Sequence, residues 1–217
     1  MKRTKGFTLV EIAIVLVIIG LLLGGILKGQ EMITQAKIKN VIADFSGISA
    51  AYHGYQDRYR AIPGDDPNAA TRWAGATAGN GNGQVAGKYN SATATDESRL
   101  WWDDLRRAGF VSGNGTAQPF NAVTGMIGVQ TGDAATPTVG PALKDASGNG
   151  FIGLVVCSAN LPDKIANAVD AQMDDGNPSG GTVRGQLQTA PNPDVSATAT
   201  ATYQETGTNV YTLCRSL

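Results

Sequence analysis

The sequence predicts an α+β protein: a long N-terminal α-helix whose hydrophobic first half protrudes and whose amphipathic second half packs on a head domain with a small antiparallel sheet. Three features predict it. Ile12 to Leu27 carries no charge, and its side chains are aliphatic or Ala apart from glycines. Ile38, Val41, Phe45, Ile48, Tyr52, Tyr55, Tyr59 and Ile62 then recur at steps of three and four, one stripe of a helix. Beyond Pro63 the apolar residues fall in short runs separated by Gly- and Asn-rich stretches, the texture of short elements with long loops.

The first element begins at the basic start Lys2, Arg3 and Lys5. Counting back from Leu27 through Leu9, the apolar run has roughly 20 residues, enough to cross a hydrocarbon layer of about 30 Å as a helix. Glu11 is its one acidic interruption. By the positive-inside tendency the first residues stay in the cytoplasm, and everything after Lys28 is delivered across the membrane. An ordinary cleaved signal has a shorter apolar stretch and an Ala-x-Ala-like exit; Gly25-Ile26-Leu27-Lys28-Gly29 offers no such exit. With no proline before Pro63, the helix is expected to run to about Arg60, some 50 residues and on the order of 80 Å at 1.5 Å per residue. Pro63 then pushes Ile62 towards extended geometry.

Later elements follow in order. Gly75 to Gly87 reads as surface loop. A helix is expected after Thr95 as N-cap, with Asp96 and Glu97 in its first turn, Arg106 and Arg107 in its last, Gly109 closing it, and Leu100, Trp101, Leu105 and Ala108 inward. Phe151 to Cys157, after the turn dipeptide Asn149-Gly150, reads as a buried strand. Pro162 opens another helix with Ile165, Val169 and Met173 inward and Gly176 as its stop. Val210 to Cys214 reads as a last strand, and antiparallel pairing with 151–157 would bring Cys157 and Cys214 together. These are the only thiols, and an exported domain meets an oxidising compartment, so a disulfide is expected. Closing a loop of about 58 residues would stabilise the fold by roughly 4 kcal/mol on the chain-entropy account.

Composition excludes several kinds of chemistry. Lys and Arg number 17 and Asp and Glu 18, a formal charge of −1, so no overall basic field draws the chain to nucleic acid. One histidine, His53, sits off the main apolar stripe, and two cysteines cannot make a four-thiolate zinc site. No Gly-x-Ser-x-Gly elbow, phosphate loop or dinucleotide fingerprint is present, and no enzymatic activity is expected.

The residues Lys5-Gly6-Phe7-Thr8-Leu9-Val10-Glu11, followed directly by the apolar helix, closely resemble the prepilin signature of the type IV filament superfamily, the type IV pilins and type II secretion pseudopilins. The resemblance implies a leader 1–6 cut from the chain between Gly6 and Phe7 by a membrane-embedded prepilin peptidase, N-methylation of the new Phe7 amine, a long helix over 7–62 with 7–28 in the membrane or filament core, and a head over 63–217. It further implies that Glu11 pairs with the Phe7 amine of an adjacent subunit and sets the axial register. An intrachain pairing is the alternative, since Phe7 and Glu11 lie four residues apart, about 6 Å along the axis. Gly20, Gly24, Gly25 and Gly29, spaced by four in pairs, would let helix backbones approach closely. Many major type IV pilins carry a kinking proline where this chain has Lys28, so the kink is not carried over; whether glycine-driven loosening between Gly20 and Gly29 takes its place on assembly is left open.

The expected function is therefore a structural subunit of a pilus-like filament. Its expected partners are copies of itself, the prepilin peptidase, an inner-membrane assembly platform and, before assembly, membrane lipid. The same signature serves type II secretion pseudopilins and minor pilins, with a short periplasmic filament, and a reading of another class is a monomeric membrane-anchored binding domain. The disulfide loop 157–214 resembles the one that bounds the variable exposed region of type IV pilins, here holding the polar tract Asn177 to Thr202. Because some pseudopilins hold calcium, two acidic runs are candidates for it. Asp145-x-Ser147-x-Asn149-Gly150 copies half a calcium loop but has Val156 at the twelfth position, and reads as a hairpin turn. Asp170, Asp174 and Asp175 before Gly176 offer oxygens at a helix end or simply a solvated face. No metal is assigned from sequence.

Overall fold

The computed structural model describes residues 8–132 and 142–217. The processing residues Gly6 and Phe7 lie outside the described residues. Two compact units divide the chain, Met1–Lys37 and Ile38–Leu217. Helix α1, Leu9–Tyr59, contributes to both. The remaining elements are α2 (Ala69–Arg72), α3 (Glu97–Arg107), β1 (Ile127–Thr131), β2 (Leu154–Pro162), α4 (Asp163–Met173), β3 (Val183–Leu187) and β4 (Val210–Ser216). The architecture is the expected α+β arrangement of one long helix and a small antiparallel sheet.

The four strands stand in the order β1-β2-β4-β3, every neighbouring pair antiparallel. In β2 the alternation of a strand separates two apolar clusters. Val156 joins a cluster with Phe45, Tyr52 and Tyr55 of α1, Trp101 and Trp102 of α3, Val169 of α4 and Leu213 of β4. Val155, Cys157 and Ala159 join Tyr89, Leu143, Phe151 and Cys214 in the other. Burial on both faces explains why β2 reads as a continuous apolar run. The pairing of β2 with β4 shifts between Ser158 and Leu161, where Asn160 takes a left-handed conformation with φ 56°, the geometry of a bulge at a residue type that tolerates it.

Several boundaries differ from the sequence expectation. Asp96, not Thr95, precedes α3: its backbone is extended and its carbonyl accepts the N–H groups of Arg99 and Leu100. Phe151 forms only an isolated bridge with Ala142, and β2 starts at Leu154 and runs on to Pro162. The tract Asn177 to Thr202 is not simply exposed loop, because it contains edge strand β3. Strand β1 was absent from the expectation altogether. Gly109, φ 81°, does close α3: the Phe110 N–H returns to the Leu105 carbonyl at 2.9 Å, a Schellman-type ending that favours glycine.

The glycine tract 75–87 contains no helix or strand, yet buried carboxylates hold it. Asp65 accepts the N–H groups of Gly81 at 2.6 Å, Asn82 at 3.0 Å and Gly83 at 2.7 Å. Glu97 accepts those of Asn80 at 3.1 Å and Ala86 at 2.9 Å. A loop rich in glycine thus has its donors satisfied by side chains from outside it.

Candidate functional site

Helix formation at the N-terminus starts with Thr8. Its backbone N–H and its hydroxyl both donate to Glu11 Oε2, at 2.8 and 2.7 Å, and the Glu11 N–H lies 3.3 Å from Thr8 Oγ1. This is a capping box, which satisfies donors that the first helical turn leaves open. Sequence reasoning treated Glu11 only as a charge partner and passed over Thr8; the signal that identifies it is the Ser/Thr-x-x-Glu spacing at Thr8 and Glu11.

From here α1 continues without interruption past Gly20, Gly24, Gly25, Lys28 and Gly29. Lys28 donates to Glu31 one turn later at 2.8 Å, both side chains being exposed. Large apolar side chains from Leu9, 87% exposed, to Ile33 face outward. A Cβ built on Gly20, Gly24, Gly25 or Gly29 meets nothing within 4 Å. α1 is long and apolar enough to cross a membrane, and its first half is also a surface of the kind that soluble monomers do not expose.

In the head, Cys157 and Cys214 are bonded. They are register partners on β2 and β4. Three pairs along, the Leu217 N–H donates to the Leu154 carbonyl at 3.0 Å. The alternation of an antiparallel ladder therefore makes 157–214 a non-hydrogen-bonded pair, the kind that brings Cα atoms closest; here they stand 4.0 Å apart. Sequence pairing of the two strands foresaw this bond.

Ligand-capable oxygens of Asp170, Asp174 and Asp175 all lie within 4.8 Å of one another. Tyr203 donates to Asp170 Oδ2 at 2.6 Å, while the buried Oδ1 has no hydrogen-bond partner. Burial, opposed by that hydrogen bond and reinforced by Asp175 and Asp174, pushes the Asp170 carboxyl up to about 6. These are the described residues that fit a hard divalent cation such as calcium, whose ligands are carboxylate and carbonyl oxygens. Within this cluster Asp174 Oδ2 also accepts the N–H groups of Thr182 and Val183, and Asp175 Oδ1 that of Asn177. Asp145 spends Oδ1 on the N–H groups of Ser147 and Asn149, at 2.8 and 2.9 Å, in a turn. His53 is exposed on α1, its ring 5.1 Å from that of Tyr52, and the tyrosines of the stripe pack into the head core.

Residues 1–27 match the family model of the prokaryotic N-terminal methylation motif. This is the prepilin signature of type IV pilins and pseudopilins, and the long helix with a four-stranded antiparallel sheet agrees with a pilin-type fold. The signature is consistent with prepilin peptidase processing and filament assembly, and with its apolar helix it fits a membrane-anchored precursor. No curated protein matches the chain.

Proposed function

We propose that the protein is a structural subunit of a type IV pilus-like filament, cut between Gly6 and Phe7, methylated on the Phe7 amine and assembled through the first half of α1. The observation that carries this reading is the outward-facing apolar surface from Leu9 to Ile33 on a helix whose one early acid is Glu11. Lipid covers that surface in the precursor, with the head outside the cytoplasm, and neighbouring helices cover it in the fibre. Glu11 gives Oε2 to Thr8, which leaves Oε1 for the Phe7 amine of an adjacent copy. An opposite charge offsets the desolvation of a carboxylate among apolar helices. An assembly platform in the inner membrane and the prepilin peptidase complete the set of partners.

Electron microscopy of material sheared from cells, with mass spectrometry of its N-terminus, tests the reading. Fibres whose subunits begin at N-methylated Phe7 support it. Purified chain that retains Met1 and stays monodisperse at every concentration overturns it in favour of a membrane-anchored binding domain. Fibres found only in the periplasm assign the pseudopilin or minor pilin role.

A further inference from the structure

Within the head unit, α1 turns Ile38, Val41, Phe45, Ile48, Tyr52 and Tyr55 towards the core. At 100° per residue the other side of the helix carries Asn40, Ala43, Gly47, Ala50 and Gly54, and the first four are exposed. A Cβ on Gly47 would meet nothing within 4 Å. Beside this smooth face lies an open cavity of about 320 Å³, lined among others by Gly47, Ile48, Trp102, Phe110 and Phe120. Phe120 is 64% exposed at its rim.

Asp44 is the one charged residue among the described lining residues. It is half-buried and forms no ion pair among the described residues, and burial alone pushes its carboxyl up from the ordinary value. An unpaired carboxylate in an apolar groove is complementary to a cation carried on an apolar, closely approaching helix. The chain itself supplies one. Lys28 ends the uncharged run Ile12–Leu27 and stands between Gly25 and Gly29, with exposed Leu27 and Met32 beside it. Its present partner Glu31 is an exposed neighbour on the same helix, a kind of pair that contributes little and exchanges readily.

We propose that this groove receives the Lys28 turn of a second copy of the chain, with the Lys28 ammonium paired to Asp44 and the Gly25–Gly29 backbone seated against Ala43 and Gly47. Copies inserted with one topology are parallel. The pairing therefore offsets the two copies it joins by the rise from residue 28 to 44, about 24 Å at 1.5 Å per residue, so they are a different pair of neighbours from the one joined by Glu11 and Phe7, whose offset is about 6 Å. This rests on the filament reading and adds a named contact to it.

Charge reversal in fibre-producing cells tests the contact. Asp44→Lys and Lys28→Asp are each expected to lower the yield of sheared fibres at least tenfold, and the combined variant to return it to within about twofold of wild type. Membrane levels of precursor and an intact Cys157–Cys214 bond control for folding. A second measurement does not depend on the reversed charges: Lys28→Cys with Asp44→Cys gives covalent multimers on oxidation of fibres, whereas Lys28→Cys with Ser46→Cys does not. Normal fibres from both single reversals, or equal cross-linking of the two cysteine pairs, overturn the contact and leave the filament reading standing. Wild-type cells that yield no fibres overturn both.

Discussion

At the scale of single residues, Glu11 has two duties that one substitution separates. Glutamine keeps the oxygen that accepts from Thr8 and so keeps the capping box, but it carries no charge for an amine. Glu11→Gln is therefore expected to abolish fibres as completely as Glu11→Ala, with the precursor still helical and membrane-inserted; fibre yield and circular dichroism check it. Full assembly of the glutamine variant would reduce Glu11 to a helix cap. Asp104 supports a different prediction. It is buried and accepts the Gly64 N–H at 2.7 Å, and burial, with Asp103 nearby, pushes its carboxyl up to about 6 from an ordinary 3.8. The fold thus binds this proton more tightly than the unfolded chain does. Its contribution is fully present below about pH 4, falls as pH rises towards 6 and stays flat above. Asparagine preserves an acceptor for Gly64. Asp104→Asn is expected to gain on wild type by on the order of 2 kcal/mol between pH 4 and 7, read as the difference in urea midpoints of the detergent-solubilised chain. Neither Asp104 nor the clamp residues Asp65 and Glu97 were legible in the sequence, because a buried carboxylate is recognised by donors that lie far along the chain, such as Gly64 and Gly81.

Among elements, legibility followed length and periodicity. The 51 residues of α1 repeat one spacing often enough to fix both its existence and its buried face, and Pro63 fixed its end to within a few residues. Strands β1 and β3, Ile-Gly-Val-Gln-Thr and Val-Arg-Gly-Gln-Leu, are short, and each has a central or near-central glycine and a buried glutamine in place of apolar alternation. Their burial comes from partners: the Tyr89 N–H donates to Gln130 Oε1 at 3.1 Å, and Gln186 donates to the Asp194 carbonyl at 2.7 Å. Only the folded loops reveal such strands. Asp65→Ala removes the carboxylate shared by three loop N–H groups: Gly83 loses its acceptor, while Gly81 keeps the Asp65 carbonyl at 3.0 Å and Asn82 keeps Asn80 Oδ1 at 3.0 Å. The change is expected to cost on the order of 2 kcal/mol, with proteolytic cleavage appearing first within 75–87. Cys157→Ser with Cys214→Ser is expected to lose up to about 4 kcal/mol, measured as the loss of denaturant midpoint relative to the oxidised protein.

For the molecule as a whole, two unlike surfaces share one helix. Before assembly, lipid must cover the apolar first half, and detergent substitutes for it in solution; removing detergent from processed chain is expected to drive association, whereas a head beginning near Ile38 lacks that apolar surface. Light scattering on the two forms checks this. A filament assembled in this way would carry tension into each head through α1, and the path continues through the sheet that α1 packs against. The bond between Cys157 and Cys214 ties together its two central strands. A pulled subunit therefore cannot pay out the stretch between the thiols, roughly 55 residues and about 190 Å of slack when fully drawn. Under load the fibre keeps its length as long as β2 and β4 remain a single mechanical piece, and chemical reduction should turn a stiff cable into an extensible one.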